Sequence, residues 1–332
     1  MSRAAGRTAP FKDAAGRPVP GSVAEAGFWR IGGIDQWVVV RGRSRENPIL
    51  VVLHGGPGSP EGALFRAFNA DLEDAYTVVH WDQRGAGRTY DKATPLESMT
   101  IERFIADLDE LVGQLLARFG KAKVVLAGHS WGSVLGVLYA ARFPAKVSVY
   151  VGIGQVADME ASEAASYAFA LKQARERHHR KATAQLVRIG PPPHAMKQVG
   201  TQRRWLMALG GAFGPNLTLG RMIRRAITAP DSSIFDLVKL LQCSMFSTKA
   251  LWPALMDINF IRDVRRLEVP VFLALGRYDM QVVATVSAAW FEMLEAPSKE
   301  LVWFEKSGHM VPFEEPAAFD AMMTGKVRPL AA

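Results

Sequence analysis

Along this chain, short apolar runs rich in β-branched residues alternate with longer stretches whose apolar positions recur every three or four residues. That change of period predicts the elements. Residues 49–53, 77–81, 124–127 and 147–153 are nearly continuous apolar runs, the pattern of strands covered on both faces. A further strand is expected at 37–40, and two more at 269–275 and 301–304. Between two of these runs Ile101, Phe104, Ile105, Leu108, Leu111, Val112, Leu115, Leu116 and Phe119 fall at helical spacing, after Thr100 as N-cap and before Gly120 as stop. Other helices are expected near 285–294 and after Pro316. Strand and helix in alternation predict an α/β fold with a doubly wound, mostly parallel sheet, built from residues 28–154 and 261–332.

Residues 155–260 break the alternation. They show no strand pattern and are rich in Ala, Leu, Met, Arg and Gln, so they are expected to form an inserted helical cap, interrupted at Pro191-Pro192-Pro193 and at Gly210-Gly211. Residues 1–27 carry early arginines, Pro and Gly but no apolar segment. They are expected to form a loosely ordered arm and not a secretory signal, which makes the cytoplasm the expected location. Residues 124–141 run for 18 positions without Lys, Arg, Asp or Glu, long enough to raise the question of a membrane helix. Gly128, His129, Ser130, Gly132 and Ser133 in the middle of that run indicate a strand, a tight turn and a helix instead.

That turn carries the first candidate chemistry. Gly128-His129-Ser130-Trp131-Gly132 is a G-x-S-x-G pattern, weak by itself and much stronger between a strand and a helix, where a sharp turn holds the serine oxygen exposed. A serine hydroxyl needs a base to take its proton and a third group to orient that base. Asp279 and His309 follow the last two predicted strands, through Gly276-Arg277-Tyr278 and Lys306-Ser307-Gly308, and so supply both in the order Ser, Asp, His. The other six histidines, His54, His80, His129, His178, His179 and His194, lack that context and are read as structural or solvated. Asp263 precedes a strand and is read as surface. The loop His54-Gly55-Gly56-Pro57-Gly58 would be a phosphate cradle only if a Gly-Lys-Ser/Thr ended it, and none does. Its glycines suit an oxyanion hole, with one N–H from this loop and one from Trp131.

Taken together, HGGPG at 54–58, WDQRGAGRT at 81–89, GHSWG at 128–132, GRYD at 276–279 and GH at 308–309 resemble the proline iminopeptidase group of the α/β-hydrolase fold. The resemblance covers about 28–154 and 262–325. It implies Ser130 as nucleophile, His309 as general base, Asp279 as its orienter, and Gly56 with Trp131 as oxyanion donors. Asp82, Gln83 and Arg84 would shape the sheet edge, and Thr89 stands where the group usually has serine. The resemblance also implies cap glutamates that bind a substrate's free α-amino group, since a cation in a desolvated pocket needs a countercharge.

The cap gives that clamp little material. Its acids are Asp158, Glu160, Glu163, Glu176, Asp231, Asp236 and Asp257, and only Glu160 and Glu163 stand out, at a spacing that equally describes one solvated helix face. Apolar residues are plentiful, among them Trp205, Phe213 and Phe235, and a few are expected to line the pocket. The expected reaction is therefore hydrolysis of an ester or amide of a small, partly hydrophobic substrate through an acyl-enzyme. Prolyl aminopeptidase activity is the alternative, and a non-catalytic ligand receptor on the same fold a more distant one. A carboxylate nucleophile, as in dehalogenases and epoxide hydrolases, would require an acid at position 130. No cofactor or metal is expected.

Charge changes the picture only locally. The 332-residue chain has a formal net charge of +8, which by itself would suggest a polyanionic partner. Residues 155–260 hold 14 Lys+Arg against 7 Asp+Glu, and the remainder 26 against 25, so the excess lies on the cap. Without a recognisable nucleic-acid module it is read as a property of the lid, one that disfavours a free amine at long range. The expected partner is a small molecule or short peptide, with neither nucleic acid nor membrane. The single cysteine, Cys243, excludes an intrachain disulfide and is expected to pack in the cap.

Overall fold

The computed structural model describes residues 8–229 and 234–331, without the side chains of 234–238. In chain order the elements are β1 (Val23–Ile31), β2 (Ile34–Gly42), β3 (Ile49–Leu53), α1 (Gly62–Phe68), α2 (Leu72–Ala75), β4 (Thr77–Trp81), α3 (Ile101–Phe119), β5 (Val124–His129), α4 (Trp131–Arg142) and β6 (Val147–Ile153). The helices α5 (Met159–Glu176), α6 (Arg180–Ile189), α7 (Met196–Ala208), α8 (Leu219–Ile227), α9 (Ile234–Met256) and α10 (Phe260–Asp263) follow. The chain then completes β7 (Val271–Gly276), α11 (Ala284–Met293), β8 (Lys299–Phe304), α12 (Val311–Glu314) and α13 (Pro316–Met322).

One eight-stranded sheet runs β1-β2-β4-β3-β5-β6-β7-β8. The β1–β2 and β2–β4 pairs are antiparallel and every later pair is parallel. The continuous apolar runs are explained by burial on both faces. In β3, Ile49, Val51 and Leu53 join a cluster with Leu108 and Leu111 of α3, Val134 of α4 and Trp290 of α11. Leu50 and Val52 point the other way, into a cluster with Phe65 of α1, Phe313 of α12 and Phe319 of α13. The α3 signals act as read: Thr100 accepts a hydrogen bond from Arg103 N, and Gly120 turns the chain at φ 62°.

The first strand departs from the sequence expectation. β1 begins at Val23, so five residues of the expected arm are paired in the sheet. Ahead of it Lys12 bridges to Pro18, and Phe11 is buried beneath the Arg41 guanidinium, 4.6 Å from its ring centre. An edge strand exposed on one side needs no continuous apolar run, and its Val-Ala-Glu-Ala-Gly start hides it. The apolar stretch over 124–141 divides into β5 and α4 at Ser130. Among the described residues no helix is long and apolar enough to cross a membrane.

Between β6 and β7 the named elements among the described residues are all helices, with breaks at the prolines after α6 and the glycines after α7. These helices have a core of their own, which includes Tyr167, Ala170, Leu186, Trp205, Leu206 and Leu209. Polar pins fasten them to the sheet layer. Ser162 Oγ accepts from Val283 N at 2.9 Å, Ser247 Oγ donates to Gly85 O at 3.0 Å, and Met280 N donates to Gly211 O at 2.9 Å.

Candidate active site

Ser130 sits at the turn from β5 into α4 with φ 52° and ψ −118°, a conformation costly for a residue with a Cβ. Its flanking glycines are required by space. A Cβ on Gly132 would lie 2.1 Å from Leu53 O, and one on Gly128 would lie 2.4 Å from Gly132 O. The turn is anchored by Ser130 N donating to Ile153 O at 2.9 Å and by Ser133 Oγ donating to Ser130 O at 2.6 Å.

Asp279 and His309 come from the loops after β7 and β8, at the same carboxyl edge of the sheet, where ligands of open α/β sheets bind. His309 Nδ1 donates to Asp279 Oδ2 at 2.8 Å, and both residues are buried. Asp279 Oδ1 accepts from Gln281 N and Val282 N, at 2.9 and 3.0 Å, which fixes the orientation of the carboxylate. With Nδ1 committed, Nε2 is the nitrogen left for proton transfer. Among the described residues no hydrogen bond joins Ser130 Oγ to His309, as is common before substrate tightens such contacts. Gly154, at φ 49°, leaves room for the imidazole: a Cβ there would stand 3.0 Å from His309 Cε1.

The glycine loop lies against the serine. A Cβ on Gly55 would be 3.2 Å from both Ser130 Cβ and Glu61 Oε1, and Gly56 takes φ 112° with no space for a side chain. Gln83 ties this loop to the first residue of α4. Its N–H donates to His54 Nε2 at 3.2 Å, and its Oε1 accepts from Trp131 Nε1 at 2.9 Å. His54 then gives its Nδ1 proton to Gly55 O, and burial keeps the ring neutral. Arg84 is structural, paired with buried Asp107 at 3.0 Å, and Thr89 Oγ1 donates to Asp82 O while accepting from Trp37 N.

The remaining histidines stand in other surroundings, with His178 exposed. Burial, with Arg66 and Arg41 nearby, pushes His80 down to about 3. His179 caps α6, and His194 bonds Gly190 O. Asp263 pairs with Arg262 on the surface. The Cys243 thiol is buried and pushed up to about 11, unsuited to nucleophilic work.

The cap candidates separate. Glu160 is exposed, whereas Glu163 is buried and paired with Arg203 of α7. Glu163 Oε2 has no hydrogen-bond partner among the described residues. Trp205 belongs to the core of the cap, where its Nε1 donates to Gln185 Oε1 at 2.9 Å, so the structure gives it packing in place of pocket lining. Phe213 lies beside the base loop: a Cβ on Gly308 would be 2.8 Å from its Cα. Asp231 and the side chains of Asp236 and Phe235 lie outside the described residues.

Two residues that sequence reasoning passed over border Ser130 and His309 through their chain neighbours. Glu314 is a buried carboxylate that accepts from Gly308 N at 2.9 Å, Met310 N at 3.0 Å and Gly214 N, clamping the two residues that flank His309. Burial raises its pKa against those three hydrogen bonds. Glu61, ahead of α1, meets His129 Nδ1 at 2.6 Å. Neither has a sequence signature beyond being an acid near an apolar helix start.

The sequence profile of the alpha/beta hydrolase family matches residues 50–322. A Bacillus subtilis protein named "probable aminopeptidase YbaC" is 34% identical over 292 residues, covering 87% of this chain and 92% of that protein. A proline iminopeptidase of Saccharolobus solfataricus is 37% identical over 120 residues, only 36% of this chain and 37% of the relative. Among solved structures, proline iminopeptidase from Mycobacterium smegmatis superposes with a TM-score of 0.68 at 18% identity, covering 92% of this chain and 99% of the other, a likeness of fold alone. With a profile match that takes in the serine turn and the acid and base loops, and a relative aligned along nearly its whole length, the chain belongs to the alpha/beta hydrolase family.

Proposed function

We propose that the chain is a serine hydrolase that cleaves an ester or amide bond of a small, partly hydrophobic molecule or short peptide through an acyl-enzyme. The observation that carries this is the 2.8 Å Asp279–His309 bond at the sheet edge where Ser130 is held on its strained turn. Ser130 Oγ attacks the carbonyl as His309 Nε2 takes its proton, and Asp279 stabilises the resulting imidazolium. The N–H groups of Gly56 and Trp131 receive the oxyanion, each worth roughly 3 kcal/mol in such sites. His309 returns the proton to the leaving group, and water then releases the acyl group by the same route.

Aminopeptidase action on an N-terminal proline is the second reading. It is favoured by the name and near full-length match of the Bacillus subtilis relative and by the buried Glu163, whose free oxygen could receive an α-ammonium group. Arg203 already offsets that charge, which places ester or amide hydrolysis first. Turnover of proline 4-nitroanilide, its N-acetylated form and p-nitrophenyl butyrate separates the two. Strong preference for the free amine establishes the aminopeptidase. Ester cleavage with no such preference establishes the esterase or amidase. Failure of all three, with Ser130 refusing a fluorophosphonate probe, rejects both.

A further inference from the structure

His129, the residue before the serine, has both ring nitrogens facing acceptors. Nδ1 is 2.6 Å from Glu61 Oε1, and Nε2 is 2.9 Å from the main-chain oxygen of His309. A carbonyl oxygen cannot donate, so Nε2 must carry a proton. The Nδ1 contact to a carboxylate then needs one more, held on one side or the other. Glu61 and His129 therefore share a proton and are together neutral, buried at 6% and 2% exposure. Glu61 Oε2 has no hydrogen-bond partner among the described residues, so the contact with His129 is the one that holds this carboxylate there.

We propose that Glu61 and His129 form a proton-sharing positioning pair that holds the general base through the His309 carbonyl, and that loss of the shared proton closes the activity window on the alkaline side. The inference rests on His309 being the base. The charged form is imidazolium and carboxylate: burial works against a charge on His129, but the charge and hydrogen bond of Glu61, the His309 carbonyl and the charge of Asp279 together raise its affinity for the proton. The other titratable groups facing it are His54, kept neutral, and the His309 ring, 4.8 Å centre to centre. When the imidazolium loses a proton, the hydrogen bond to the Glu61 carboxylate keeps the remaining one on Nδ1. Nε2 is then bare and points a lone pair at the His309 oxygen, and a hydrogen bond becomes a repulsion. The base loop, restrained on its other side by Glu314, loses this hold.

Three full-length variants test it, with p-nitrophenyl butyrate hydrolysis followed from about pH 6 to about pH 10 against a Ser130→Ala blank. Wild type should lose activity on the alkaline side. His129→Gln keeps an amide donor that does not titrate, and Glu61→Gln can turn its amide to donate to Nδ1, so neutral His129 keeps its Nε2 proton. Both should flatten the alkaline limb. His129→Leu removes the donor and should lower kcat about tenfold at every pH with little change in KM. In ¹⁵N-histidine-labelled wild type, both His129 nitrogens should be protonated at neutral pH, a readout that depends neither on turnover nor on any variant folding. An unmoved limb in either glutamine variant, or one bare His129 nitrogen in neutral wild type, overturns the proposal alone. An inert wild type that a fluorophosphonate fails to label overturns the hydrolase reading, and the catalytic part of this one with it.

Discussion

The sheet side and the cap side of the site are built to different tolerances. On the sheet side the serine turn is set by main-chain packing with no spare room: a Cβ on Gly128 or Gly132 would lie 2.4 or 2.1 Å from a backbone oxygen. On the cap side Gly200, in α7, would meet nothing within 4 Å if it gained a Cβ. Leu241 and Met245 of α9 stand 71% and 73% exposed. The contrast teaches that the serine turn is fixed by backbone packing, whereas these helical positions between β6 and β7 leave room for other side chains. The first resists substitution, and the second is free to change.

Substitutions can break or sharpen that contrast. The largest effect should come from Ser130→Ala, with turnover falling at least about 10⁴-fold and fluorophosphonate labelling lost while the fold survives by circular dichroism. Next, Gly132→Ala forces a methyl onto Leu53 O and should cost about 3 kcal/mol in urea unfolding, whereas Gly200→Ala, on an exposed helical face, should stabilise by roughly 0.8 kcal/mol. Equal effects at the two glycines would erase the distinction. Gln83→Leu, which unties His54 from Trp131, should lower kcat about tenfold or more with KM nearly constant, since the oxyanion donors act in the transition state. The smallest effect is a pH dependence. His129 binds its proton more tightly folded than unfolded, so its contribution to stability is full below its unfolded pKa and is lost as pH rises through the raised folded value. Melting curves should show wild type exceeding His129→Gln by more at mildly acidic than at alkaline pH.

The parts legible in the sequence are those where burial is uniform. β3, β4 and β6 form over the residues that their apolar runs mark, because a strand covered on both faces is apolar at most of its positions. The pairing of Asp279 with His309 and the tight turn at Ser130 were legible because each of the three follows a strand, with glycine close by. β1 was not, since a half-exposed edge strand lacks that uniformity. Glu160 and Glu163 show the limit most clearly. At three residues apart they are about 60° around the helix, enough for one to face solvent and the other to meet Arg203, and spacing alone does not say where the boundary falls. Glu61 and Glu314 escaped for a related reason: a buried carboxylate is recognised by the donors that surround it, and those come from distant segments.

The contacts of residues 211–214 bear on how such enzymes can be rebuilt. Gly211 O and Ala212 O accept from Met280 N and His309 N, and Gly214 N donates to Glu314, so this stretch belongs to the helical insertion by chain position and to the framework around Asp279 and His309 by bonding. A chimera that exchanged residues 155–260 as one cassette would import new selectivity and discard the braces of its own acid and base loops. A graft made as two pieces, one ending before Gly211 and the other beginning after Gly214, would change the selective surface and leave the framework intact.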